Sequence, residues 1–126
     1  MLLLTALAQS GEARLRLALI PLFLEHPEFA EYAQDAADRL EFPARLTLQC
    51  YYMAAFCLQR ILATSGRLLP DLFSGALNLH LGGDPEENLR ALTERQRELS
   101  GAAVNWLGTY QHAAQIWRKG MESKKV

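Results

Sequence analysis

From Cys50 to Leu58 the chain carries no charged side chain: Cys50-Tyr51-Tyr52-Met53-Ala54-Ala55-Phe56-Cys57-Leu58 is apolar or aromatic throughout. Pro43 before it and Ser65-Gly66 after it are helix start and stop signals, so the pattern predicts a helix over 43–64. A helix that is apolar all round must be covered on nearly every side. Other helices have to supply that cover, and this sets the fold class. The chain is of one-domain size, 1–126, with room for a real core. A domain this small rarely surrounds a central helix completely, so part of this surface is expected to meet another chain. Tyr51 and Tyr52 would then offer rigid area with a polar tip, which interfaces favour. The plainer reading is a central bundle helix with both tyrosine hydroxyls reaching solvent.

The rest of the chain supplies helices to do the covering. Half the residues are hydrophobic and 21% are charged, values of an ordinary globular protein and not of a disordered one. Met1 to Ala8 reads as a first helical turn or two. A helix over Glu12–Glu25 is expected to kink at Pro21, which removes a backbone donor and crowds the preceding turn. Pro27 ends it and opens a second helix to Leu40. Phe29, Tyr32, Ala33, Ala36 and Leu40 form its expected buried stripe. Glu28, Glu31, Asp35 and Asp38 lie on a neighbouring face. They read as a solvated acidic face near a helix start, with acid–base work or attraction of a basic partner as the sharper alternatives. Arg14-Leu15-Arg16-Leu17-Ala18-Leu19 followed by Leu22-Phe23-Leu24 resembles one HEAT-type helical hairpin. No second copy follows at a period near 40, so no solenoid is expected.

Residues 65–83 are punctuated by Gly66, Pro70, Gly75, Gly82 and Gly83. They also carry Leu68, Leu69, Leu72, Phe73, Leu77, Leu79 and Leu81. So long and apolar a connection is not a free loop, and is expected to lie over the bundle or against a partner, with a helical turn at Asp71–Ala76. Asp84, Pro85, Glu86 and Glu87 then mark the clearest helix start in the chain. From there Leu89, Leu92, Gln96, Leu99, Ala103, Trp106, Tyr110, Ala113 and Trp117 keep a 3–4 spacing. This predicts one long helix to about Lys119, roughly 50 Å if unbroken. Its seam would run along a neighbouring helix, with Gln96 as the lone polar, register-setting member. Ser100-Gly101 and Gly108 are the places where it could bend. The expected fold is therefore all-α: a single-domain bundle of four to five helices with a long C-terminal helix.

Chemistry is harder to find. The formal charge is −1, from 13 basic and 14 acidic side chains, whereas nucleic-acid binders usually carry a basic excess. Only Arg118, Lys119, Lys124 and Lys125 are locally basic, as suits a helix C-terminus. On a helix Cys50 and Cys57 lie about 10 Å apart, too far for a disulfide between them. They read as buried, reduced thiols. His26, His80 and His112 show no metal-ligand spacing. Gly82-Gly83 feeds a helix start where an anion could bind, but Asp84 would occupy the same donors. No run is long enough to span a membrane, and no basic residue precedes Arg14 as a signal peptide requires.

The architecture is similar to small bacterial helical bundles of the HEPN type. That resemblance implies a ribonuclease toxin or a partner of a nucleotidyltransferase. The family's motif, Arg followed after four to six residues by His, is missed by Arg16 with His26, Arg67 with His80 and Arg97 with His112. Of the implied roles, a non-catalytic partner subunit in a toxin–antitoxin-like system therefore stays open. The leading expectation is a cytoplasmic, non-enzymatic interaction protein that self-associates or docks to a protein partner. No cofactor, metal, nucleic acid or membrane enters this reading. The alternative is a small-molecule-binding regulatory domain, with an aromatic pocket between the third and fourth helices. Interface or pocket candidates are Tyr51, Tyr52, Phe56, Phe73, Gln96, Trp106, Tyr110 and Trp117.

Overall fold

A computed structural model describes residues 2–64, 66–102 and 104–124, and among them there is no strand. The helices are α1 (Leu2–Gln9), α2 (Ala13–Leu17), α3 (Leu19–Glu25), α4 (Ala30–Arg39), α5 (Ala44–Ile61), α6 (Pro85–Ser100) and α7 (Trp106–Lys124). A 3₁₀ turn at Pro27–Phe29 leads into α4. The all-helical class is as expected, but the elements are shorter and more numerous than four or five.

The central helix is α5, on which α1, α3, α4 and α6 all pack. Every residue from Cys50 to Gln59 is buried. The chain thus covers its own apolar helix, and the cover includes the connection. Phe73 stands edge-on to Tyr52 with ring centroids 5.3 Å apart, and Phe23 of α3 does the same from the other side at 4.9 Å. The Tyr52 hydroxyl donates to the Pro70 carbonyl at 2.7 Å. Neither Tyr51 nor Tyr52 is a surface residue, since both side chains lie in the core.

The predicted 12–25 helix is two helices. The interruption falls at Ala18, one turn before Pro21. Proline has no N–H for the Leu17 carbonyl and its ring crowds that carbonyl, so the disturbance appears upstream of the proline itself. In α4 the buried stripe is Ala30, Ala33, Ala36 and Ala37, continued by Leu40. Tyr32, expected there, is 46% exposed. The small alanines let α4 lie close to α1 and α5, and Ala37 takes the inward position instead.

The connection is held by side chains from both flanking helices. Gln59 donates to the Arg67 carbonyl and accepts from the Leu69 N–H, at 2.8 and 2.7 Å. Asn88 brackets Gly82 in the same way, at 3.0 and 2.8 Å. Arg60 and Arg95 donate to the Leu69 and Leu77 carbonyls. Between these clamps, Asp71 caps a single helical turn through the Ser74 N–H at 3.0 Å. The turn closes on Asn78 at φ 53°, with Leu79 N–H donating back to Ser74 and Asn78 N–H to Gly75. This is the pairing of a left-handed helix stop, and Asn tolerates that conformation better than most residues. Leu69, Phe73, Leu77 and Leu79 are thereby buried.

The predicted continuous C-terminal helix is a helical hairpin. Gly101 takes φ 69° and donates to the Arg97 carbonyl at 3.0 Å, which ends α6. Asn105 then caps α7 by accepting from the Gly108 N–H at 3.0 Å. A glycine in left-handed conformation and an asparagine cap outweigh the uninterrupted apolar spacing. Ser65 and Ala103, invoked as a stop signal and a seam residue, lie outside the described residues.

Candidate docking groove

The eight residues singled out by sequence do not form one site. Tyr51, Trp106 and Tyr110 pack together between α5 and α7, with ring centroids 5.9 to 6.4 Å apart. Tyr52 and Phe73 pack together on another side of α5. Adjacent helical residues diverge by about 100°, so Tyr51 and Tyr52 cannot line one pocket. Phe56 is buried beneath the Arg60 guanidinium, 3.7 Å from its ring centroid. Trp117 is half-buried against the core. The Nε1 atoms of Trp106 and Trp117 are enclosed without an acceptor among the described residues. Gln96 is buried and accepts the Tyr110 hydroxyl, joining α6 to α7 within one chain. The bond of this one polar seam residue thus falls within the hairpin.

Burial decides the electrostatics here. It pushes the Cys50 and Cys57 thiols up to about 12, and raises Tyr51, Tyr52 and Tyr110 above their ordinary range. These thiols are neutral at physiological pH and are not nucleophiles. On the surface, Glu28 is held below its ordinary value, first by a backbone hydrogen bond and then by His26 and Arg67. The acidic face of α4 is engaged locally: Glu31 with Arg67, Asp35 with Arg39, and Asp38 with Gln34. Asp84 accepts from the Glu86 N–H, so the start of α6 is capped by its own chain. Among the described residues no group of three or more His, Cys, Asp or Glu side chains is placed to hold a metal ion, and no helix is long and apolar enough to cross a membrane.

What the hairpin does create is a surface groove of about 410 Å³ between the end of α5, the start of α6 and the face of α7. Its floor is apolar, from Leu58, Ile61, Leu62, Leu89, Leu107 and Ala114. Its polar members are Glu86, Arg90, Gln111, Gln115 and Arg118. A second groove of about 290 Å³ shares Arg90 and Leu107 and runs toward the α6–α7 link, past Glu94, Arg97 and Trp106.

The arginines divide sharply. The chain has ten. Seven hydrogen-bond or ion-pair within the protein: Arg14, Arg16, Arg39, Arg45, Arg60, Arg67 and Arg95. The other three, Arg90, Arg97 and Arg118, have no such partner among the described residues, and these are the arginines lining the two grooves.

Sequence reasoning missed the groove because it followed the apolar seam and ignored the seam's edges. Arg90 and Arg97 are seven apart and so share a helix face, which was a readable signal. That Arg118 joins them depends on the hairpin. The chain matches no known protein family, and no curated protein or solved structure matches it.

Proposed function

We propose that this protein is a non-catalytic interaction module, and that the α5–α6–α7 groove is its docking surface for an amphipathic helix of a protein partner. The observation that carries this reading is the groove itself: an apolar floor from three elements with polar side chains at its margin, open along the surface. Apolar centre and polar rim is the anatomy of a protein interface. A ridge of apolar side chains at helical spacing fits such a trough, as in other helix-in-groove recognition. On its floor Ile61, Leu62 and Leu107 are only partly buried. The apolar middle of α5, by contrast, is already covered by its own chain, so this reading does not draw on self-association.

An enclosed pocket lined by aromatic rings, which a small-molecule role would favour, is not what Tyr51, Trp106 and Tyr110 form; they fill the space between α5 and α7 with one another. The test is titration of isotope-labelled protein with a designed leucine-striped helix, followed by amide shifts. Shifts confined to the end of α5, α6 and α7, and abolished by Leu107→Asp in a protein that still folds, are expected. Shifts centred on α1 or α4, or none at all, would remove the reading.

A further inference from the structure

We infer that the groove selects an acidic partner, reading carboxylates that flank the apolar ridge of the docked helix through Arg90, Arg97 and Arg118; this rests on the docking reading above. Three observations converge. The unpaired arginines of the described chain all line the grooves, whereas the other seven are engaged. Arg90 has Glu86 and Glu94 one turn to either side, the usual geometry for a helical ion pair, yet it pairs with neither. The groove margin is cationic on balance, three arginines against Glu86 and Glu94, on a chain whose formal charge is −1.

A guanidinium presents a planar fork of donors that matches a carboxylate with two parallel hydrogen bonds. Two such forks, Arg90 from α6 and Arg118 from α7, stand on the same groove, and Arg97 extends the series toward the hairpin link. A helix with a leucine ridge and glutamates beside it would meet apolar floor and cationic margin together. A nucleic acid would meet the arginines but would leave the partly exposed Ile61, Leu62 and Leu107 unused, so the apolar floor favours a protein segment.

The experiment compares three designed helices that share one leucine ridge and differ only in flanking residues: all Glu, all Lys or all Gln. The Glu helix is expected to bind at least about tenfold more tightly than the Lys helix at low salt, with the gap closing as salt rises. The double variant R90E/R118E should reverse that order while staying folded, because both side chains are exposed. Its thermal midpoint is expected to be lowered only slightly, by the new like-charge spacing to Glu86 and Glu94. Single R97E should weaken the Glu helix by a smaller factor. Equal affinity for all three overturns the selectivity and leaves docking standing. Failure of all three to bind overturns docking and selectivity together. Tighter binding of a single-stranded RNA oligonucleotide than of the Glu helix, lost in R90E/R118E, overturns the acidic-helix proposal in favour of phosphate recognition.

Discussion

The buried polar side chains among the described residues, Gln59, Asn88 and Gln96, are all amides. An amide carries both donor and acceptor without charge, so it can satisfy a backbone N–H and a nearby C=O at no ionic desolvation cost. Gln59 does this for the connection, and its loss would orphan the Leu69 N–H inside the core. Gln59→Leu is expected to lower stability by about 2 kcal/mol, within the usual cost of an unsatisfied buried group. Urea denaturation reads this directly, and an unchanged midpoint would show that the connection does not depend on the clamp. The tyrosines and thiols give a second expectation. Burial raises Cys50 and Cys57 from 9.0 to about 12, and raises Tyr51 and Tyr110 from 10.0. The unfolded chain then loses these protons first. Stability from the neutral groups is complete below pH 9, and declines as pH rises through the thiol and then the tyrosine range. A thermal midpoint that falls steadily above pH 9 is expected; a flat profile to pH 11 would mean that these groups are wet.

Helix ends, more than helix middles, decided how the elements divide. The start of α6 was legible because Asp84 and Pro85 act locally, and Asp84 does cap it. The hairpin was half legible. Gly101 and Gly108 were visible as weak points, but Asn105 becomes a cap only once Gly101 turns the chain. Tyr32 lies outside the buried stripe because the packed face of α4 is made of small side chains, Ala30, Ala33, Ala36 and Ala37, and apolar spacing alone does not tell such a face from one centred on Tyr32. The groove was illegible because it needs α5, α6 and α7 in mutual position. One helix end retains a cost. Ala63, just past α5, sits at φ 50° and is exposed, with the Thr64 N–H donating back to Gln59. A left-handed alanine costs about 1–2 kcal/mol, partly offset by the greater unfolded freedom of glycine. Ala63→Gly is therefore expected to stabilise the protein by about 0.5 to 1 kcal/mol, seen as a raised midpoint in thermal denaturation. A loss of stability would show that Ala63 is not held left-handed in solution.

Across the whole molecule the arrangement is radial, with α5 at the centre and little of it on the surface. Its thiols accordingly report on the entire fold. Cys50 and Cys57 should resist a thiol reagent in native protein and react in parallel with global unfolding as denaturant is raised, because no local opening exposes α5 alone. Rapid stoichiometric labelling without denaturant would mean that one layer detaches. The radial plan also bears on how the chain is made. Synthesis delivers α1 to α5 first, and at that moment the side of α5 that will meet Phe73, the clamped connection and α6 has nothing on it. A nascent chain ending near Leu62 would expose Tyr52, Met53 and Phe56 at the ribosome until α6 emerges. The interval between those two points of translation, a span of a few tens of residues and so a few seconds at ordinary elongation rates, is when this protein is most in need of a chaperone.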